Sequence, residues 1–215
     1  VRLAAVVDAR RAVRHELAAR TRGSCEALSD DTAACRVQRR EQRTRVVGYV
    51  FETARLRARH IAHHDVDDLV AVYGNRNVMR WVGDGEPLGR AACEQWVETT
   101  LRNYAVRGYG MFALELLETG RVAGFCGLVH PAGQEVAELK YALREELWGR
   151  GLATEAARAL LAYGRDAFGV TRVIATTAPE NETSHRVLRK AGMMAGELCR
   201  EHDGALTLVF EWSAG

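Results

Sequence analysis

At 215 residues, 47% hydrophobic and 27% charged, the chain has the length and composition of one ordinary globular domain plus an appendage. No apolar run approaches the roughly 20 residues a membrane helix needs, and Asp8 interrupts the short apolar start, so neither a membrane span nor a secretory leader is expected and the expected compartment is the cytoplasm. The net charge of +2 is uneven: residues 1–50 carry eleven Arg against six acidic residues (+5), and the remainder 19 basic against 22 acidic (−3), which argues against nucleic-acid binding by the main body.

Residues 1–50 are rich in Arg and Ala with weak periodicity, and no aromatic residue precedes Tyr49 to stack on a base. They are expected to form a poorly ordered extension, with a helix over 9–20 left open, and the domain to span 51–215. A short strand is expected near 54–60. Asp65 is placed as the N-cap of a helix carrying Val66, Leu69, Val70 and Tyr73. Asn75-Arg76-Asn77 ends it, and Gly83-Asp84-Gly85-Glu86-Pro87 reads as a loop. A long helix follows over about 90–106, with Ala92, Trp96, Leu101 and Tyr104 facing inward. Tyr109–Leu117 and Val122–His130 form a hairpin around Glu118-Thr119-Gly120. Residues 135–143 alternate as a strand, a helix runs to about Ala167, and Thr171–Thr177 is a β-branched strand. A helix over 181–191 and a hairpin, Met193–Arg200 with Ala205–Trp212, complete the chain. Hairpins followed by strand-helix-strand-helix imply a mixed α/β, or α+β, sheet flanked by helices.

Between the strand at 135–143 and its following helix lies Leu147-Trp148-Gly149-Arg150-Gly151-Leu152-Ala153-Thr154-Glu155. Two glycines and a small Ala153 leave backbone N–H groups uncovered where the helix begins. Those N–H groups have no intrahelical partner, and the helix dipole adds partial positive charge, so the turn suits a phosphate or pyrophosphate. Taken locally, a tight strand-to-helix connection is an equal reading. The turn is not a P-loop, because no Gly-Lys-Ser/Thr follows, and a third glycine for a dinucleotide fingerprint is missing. Five scattered cysteines without a C-x-x-C pair, and histidines without ligand spacing, imply neither disulfides nor a metal site; Cys126 reads as a small buried hydrophobe.

Trp148-Gly149-Arg150-Gly151-Leu152-Ala153 resembles the pyrophosphate turn of the GNAT N-acetyltransferases, with Trp148 where Gln or Arg is usual. Leu-Trp-Gly-Arg-Gly-x-Ala-Thr-Glu-Ala is typical of the RimJ/RimL-type branch, which acetylates N-terminal amines of ribosomal proteins. Glu52–Arg59 resembles that branch's first strand, and Pro179-Glu180-Asn181-Glu182-Thr183-Ser184 with Val187-Leu188 and Gly192-Met193 its Pro-Glu-Asn segment. The resemblance implies a GNAT fold: a mostly antiparallel central sheet, splayed between its fourth and fifth strands.

It also implies acetyl-CoA as cosubstrate, with no metal, and an amine acceptor, either a protein N-terminus or a small molecule. Backbone N–H groups of Gly149, Arg150, Gly151, Leu152, Ala153 and Thr154 are expected to cradle pyrophosphate. A bulged fourth strand at Tyr141, Ala142 and Leu143 is expected to take the pantetheine arm. Asn181 either caps its helix or contacts that arm, or does both. Ser184 is the expected proton donor to the leaving thiolate, and Glu138, sharing a strand face with Lys140, the expected base or else half of a surface ion pair. Lys140 departs from the family, whose members usually carry Gly there; His130 is a further candidate base. The competing readings are a noncatalytic acyl-CoA-binding module and a nucleic-acid binder resting on residues 1–50. Monomer and homodimer both stay open.

Overall fold

The computed structural model describes residues 48–200 and 204–215. The expected extension therefore lies outside the described residues except at its end, where Tyr49 and Val50 already belong to the sheet. Strands β1 (Tyr49–Glu52) and β2 (Leu56–His60) form a hairpin where one strand was expected. In β2 the period of two puts Leu56 and Ala58, both fully buried, on one face. Arg57 and Arg59 share the other face, where both meet Glu115.

After β2 come α1 (Val66–Tyr73), α2 (Arg76–Met79), α3 (Arg90–Arg107), the hairpin β3 (Met111–Leu116)–β4 (Val122–Val129), and β5 (Ala137–Leu143). Then α4 (Leu152–Phe168), β6 (Arg172–Thr177), α5 (Glu182–Lys190) and the hairpin β7 (Met194–Arg200)–β8 (Leu206–Ser213) close the chain. The eight strands lie in the order β1-β2-β3-β4-β5-β6-β8-β7. Every neighbouring pair is antiparallel except β5–β6.

That one parallel pair matches only at Ala137 with Val173 and Glu138 with Ile174, after which the strands part. Counted from β2, they are the fourth and fifth strands, so the expected splay is present. The expected bulge is not: β5 pairs with β4 in unbroken register from Glu138 to Leu143. The backbone of β5 loses its neighbour because β6 diverges.

The helices cover both sheet faces. On one, Ala156, Ala157, Leu160 and Leu161 of α4 and Leu188 of α5 pack against Leu139, Val173 and Phe210. On the other, Leu69 and Val72 of α1, Met79 of α2 and Val97 of α3 pack against Ala113 and Phe125. β4 is buried on both faces, which is why it reads as a continuous apolar run. The inward face of α3 is Cys93, Val97 and Thr100; the expected Ala92, Trp96, Leu101 and Tyr104 flank it half-buried.

Asp65 stands at the N-cap position of α1, as expected, but its side chain makes no capping bond to that helix. Its carboxylate takes two bonds from the Arg59 guanidinium, at 2.8 and 2.7 Å, and one from the Ala62 N–H at 2.8 Å. Arg59, 6% exposed, also reaches Glu115 at 2.6 Å, so its charge is balanced by Asp65 from the turn before α1 and by Glu115 from β3. Burial drives the Asp65 and Glu115 pKa values up, but the bonds from Arg59 outweigh it and hold both below the usual carboxylate range.

Candidate active site

The glycine turn takes the shape its residues allow. Gly149 and Gly151 lie at φ +75° and +78°, a left-handed conformation that side chains strain to adopt, and Gly151 opens α4. Its carbonyl accepts the first helical bond from Glu155 at 3.1 Å, leaving the N–H groups of Leu152, Ala153 and Thr154 without carbonyl partners in the helix. A Cβ on Gly149 would meet nothing within 4 Å, so the outer side of the turn is open to a ligand.

The turn is clamped from the N-terminal hairpin. Glu155 accepts from Thr53 Oγ1 (2.6 Å), the Arg55 N–H (2.9 Å) and Arg55 Nε (2.8 Å), while Arg55 also donates to the Arg150 carbonyl (2.8 Å). Burial raises the Glu155 pKa, and these donors overcome it and hold the group below 4.5. On the opposite side Trp148 donates its indole N–H to the Leu143 carbonyl at 2.9 Å, tying the turn to the end of β5.

From this turn a cavity of about 540 Å³ runs through the opening between β5 and β6 to the α1–α3 side of the sheet. Every residue expected to hold the cofactor lines it except Arg150. Ser184 lines it as well. Asn181 Oδ1 accepts the Ser184 N–H at 3.1 Å, so Asn181 does cap α5. The Tyr141 hydroxyl lies 2.7 Å from Ser184 Oγ. Burial pushes the Tyr141 phenol up to about 12 against the opposing pull of that bond, so at neutral pH it keeps its proton.

Glu138 sits elsewhere than a cavity wall. It is fully buried and does not line the cavity; Lys140 Nζ and Thr176 Oγ1, both lining, donate to its Oε1. Lys140 Nζ is also 3.2 Å from Thr176 Oγ1. The ion pair on one strand face is present, with Glu138 fully buried and the Lys140 side chain partly exposed on the cavity wall. Glu138 Oε2 has no hydrogen-bond partner, an expensive condition for a buried carboxylate oxygen.

Residues 55–194 match the family described as the acetyltransferase (GNAT) domain. The chain is 27% identical over 155 residues to the uncharacterized N-acetyltransferase YoaA of Bacillus subtilis strain 168, covering 71% of this chain and 87% of that one. The crystal structure of a GNAT-family acetyltransferase from Bacillus anthracis superposes with a TM-score of 0.65 at 22% identity, covering 78% of this chain and 98% of that one. RimL, the ribosomal L7/L12 α-N-protein acetyltransferase in complex with coenzyme A, does so with a TM-score of 0.67 at 15% identity, covering 77% and 98%. The chain belongs to the GNAT acetyltransferase family. It is an acetyl-CoA-dependent N-acetyltransferase.

In this GNAT domain the far wall of the cavity was not legible beforehand. It combines Tyr73 of α1, Val78 and Met79 of α2, Trp96 of α3, Met111 of β3 and Val129 of β4. Trp81, Val82 and Gly83 extend it, and the segment before them is anchored by Glu145, which takes bonds from Asn75 at 2.9 Å and Asn77 at 2.7 Å. Arg186 and Lys190 also line the cavity. Their sequence signal is the i, i+3, i+7 spacing from Thr183, which puts all three on one face of α5.

The remaining candidates stand apart. His130 lies outside the cavity lining, with Nδ1–H donating to the Gln134 carbonyl (2.9 Å) and Nε2 accepting from Tyr109 (2.8 Å). Cys126 is fully buried, and burial pushes its thiol well up. Among the described residues no group of three or more His, Cys, Asp or Glu could hold a metal ion, and no helix is long and apolar enough to cross a membrane.

Proposed function

We propose that this GNAT domain transfers the acetyl group of acetyl-CoA to a primary amine by direct attack, with both substrates bound at once. The observation that carries the reading is the continuous cavity: it joins an anion-accepting glycine turn to an apolar chamber through the gap in the sheet, with Tyr141 and Ser184 on its wall. A cofactor thioester and an amine can meet there without a covalent enzyme intermediate, since the one cysteine of the inner strands, Cys126, is sealed away.

The turn fits the cofactor by its two left-handed glycines and open outer side. N–H groups from Gly149 to Thr154 hold the pyrophosphate, and Arg186 and Lys190 add positive charge beside it. The unpaired edge of β5 at Tyr141, Ala142 and Leu143 takes the pantetheine arm as an added strand would, with a backbone N–H polarising the acetyl carbonyl. Asn181 caps α5 through Oδ1 and offers Nδ2 to the arm. When bound, acetyl-CoA supplies a thioester whose acetyl group passes to the amine as its sulfur departs.

The protein's own groups manage two protons. Ser184 Oγ gives a proton to the departing sulfur and is resupplied by Tyr141 Oη, which is protonated at neutral pH. The proton lost by the amine passes to Thr176 Oγ1 as the Thr176 proton passes to Glu138, so the buried carboxylate acts through a hydroxyl that faces the cavity. The RimJ/RimL-type resemblance and the structural likeness to RimL favour a protein N-terminus among the acceptors, and such an α-amino group, titrating near ~8, needs less help than a lysine.

Two-substrate initial-rate kinetics test the reading. Simultaneous binding predicts intersecting double-reciprocal lines, whereas parallel lines would require an acetyl-enzyme and contradict it.

A further inference from the structure

The acceptor half of the cavity differs sharply from its cofactor half in chemistry. Tyr73, Val78, Met79, Trp96, Met111 and Val129 give it a wall of aromatic, aliphatic and thioether groups. Among the described residues that line the cavity, none is Asp or Glu, while Lys140 is cationic, as are Arg186 and Lys190 on the cofactor side. At the mouth, the Arg80 guanidinium lies 4.8 Å over the Trp81 ring, adding a further positive charge. Four described acidic side chains in neighbouring segments are spoken for or outside: Glu138 is paired with Lys140 and buried, Glu145 is held by Asn75 and Asn77, and Asp84 and Glu86 lie exposed outside the lining.

A site for a polycation needs carboxylates to replace the water each ammonium loses, because an unpaired charge entering an apolar chamber is strongly disfavoured. Among the described residues this chamber has none to offer. A hydrophobic body gains instead, by about fourfold in binding for each methylene buried, the equivalent of about 0.8 kcal/mol.

Resting on the acetyltransferase reading above, we infer that the acceptor is a monoamine on an apolar or aromatic body, a class that includes peptides with an apolar first residue and leaves out polyamines and aminoglycosides. The reacting amine enters neutral, and the Lys140–Glu138 pair keeps the chamber floor without net charge. A second cationic centre on the substrate would face the apolar wall with no partner.

Two matched pairs test this, each differing by one added cation: hexylamine against 1,6-diaminohexane, and Leu-Gly-amide against Lys-Gly-amide. The full chain is assayed with acetyl-CoA, and acetyl-CoA binding is measured separately by calorimetry. The expected result is a kcat/KM at least tenfold higher for the singly charged member of a reacting pair. In Val82→Asp, which puts a carboxylate on the lining loop, the preference should shrink at least fivefold. Equal or better use of the doubly charged member in either pair overturns the inference, as does acetylation of neither pair by a protein that binds acetyl-CoA. Absence of acetyl-CoA binding would instead strike the reading on which the inference rests.

Discussion

The Tyr141 hydroxyl on β5 and the Ser184 hydroxyl on α5 lie 2.7 Å apart, joining β5 to the helix that follows β6. A serine alone is a poor acid; a serine backed by a phenol whose pKa is pushed up to about 12 can give up one proton and be resupplied from the other. Ser184→Ala and Tyr141→Phe are each expected to lower kcat by about 10–100-fold while the KM for acetyl-CoA moves less than about threefold. If the pair works as a unit, the double variant loses little more than the worse single one. Steady-state kinetics on the three variants check this, and fully additive losses would separate the two roles.

Gly151 is the point where the turn tolerates least. Its φ of +78° already strains any side chain, and the Arg55 guanidinium is 3.7 Å from where a Cβ would stand. Gly151→Glu adds strain of about 1–2 kcal/mol and places a negative charge where phosphate is bound. Calorimetry should show acetyl-CoA affinity falling more than about tenfold, with a Tm drop too small to signify unfolding. Unchanged affinity would remove the glycine turn from cofactor binding.

That turn was plain in the sequence because its signals are local: two glycines, a preceding alternating strand and a following helical period. Asn181 and Ser184 were plain for the same reason, being three apart at a helix start. The Tyr141 phenol was not, since its partner lies 43 residues on and only the tertiary fold unites them. The acceptor wall was hidden likewise, since Tyr73, Trp96, Met111 and Val129 come from four elements and each looks like ordinary core. Asp65 misled because its spacing suits a cap, while a buried Arg59 six residues earlier exerts the stronger claim on its carboxylate. Glu138 shares a face with Lys140 as alternation required, but alternation could not say that Glu138 would be fully buried while Lys140 lines the cavity.

Removing the Asp65 charge should be costly for that reason. Asp65→Asn leaves the buried Arg59 guanidinium with a neutral partner where two charge-assisted bonds stood. Breaking such a pair costs about 3–5 kcal/mol. Urea unfolding should register a loss of that order, and a loss under 1 kcal/mol would show that Glu115 alone suffices.

The Glu155 clamp gives a pH signature. Its pKa is held below 4.5 in the folded protein, so its contribution is fully present above 4.5 and is lost as pH falls through the lower folded value. Glu155→Gln should lower stability by about 1 kcal/mol near pH 7, because Arg55 is half exposed and its charge is screened. The gap in Tm between the two proteins should narrow as pH falls below 4.5. A constant gap would mean that the carboxylate charge plays no part in the clamp.

Thr176→Val separates a relay from a mere ion pair. The substitution keeps volume, removes the hydroxyl between Glu138 and the cavity together with its 3.2 Å contact to Lys140, and leaves the Lys140–Glu138 pair in place. The relay predicts a fall of about 10² in kcat/KM for the acceptor, with acetyl-CoA affinity retained. An unaltered kcat/KM would return the amine's proton to solvent.

The most direct test of the whole account is a mass-spectrometric transfer assay on the purified chain, with acetyl-CoA and a mixed pool of N-terminal peptides, alkylamines, polyamines and aminoglycosides. Acetyl transfer at this site predicts a mass gain of one acetyl group on an amine of the pool, abolished in Gly151→Glu and sharply slowed in Ser184→Ala. A pool left wholly unacetylated by wild-type protein that shows no binding of acetyl-CoA would contradict it.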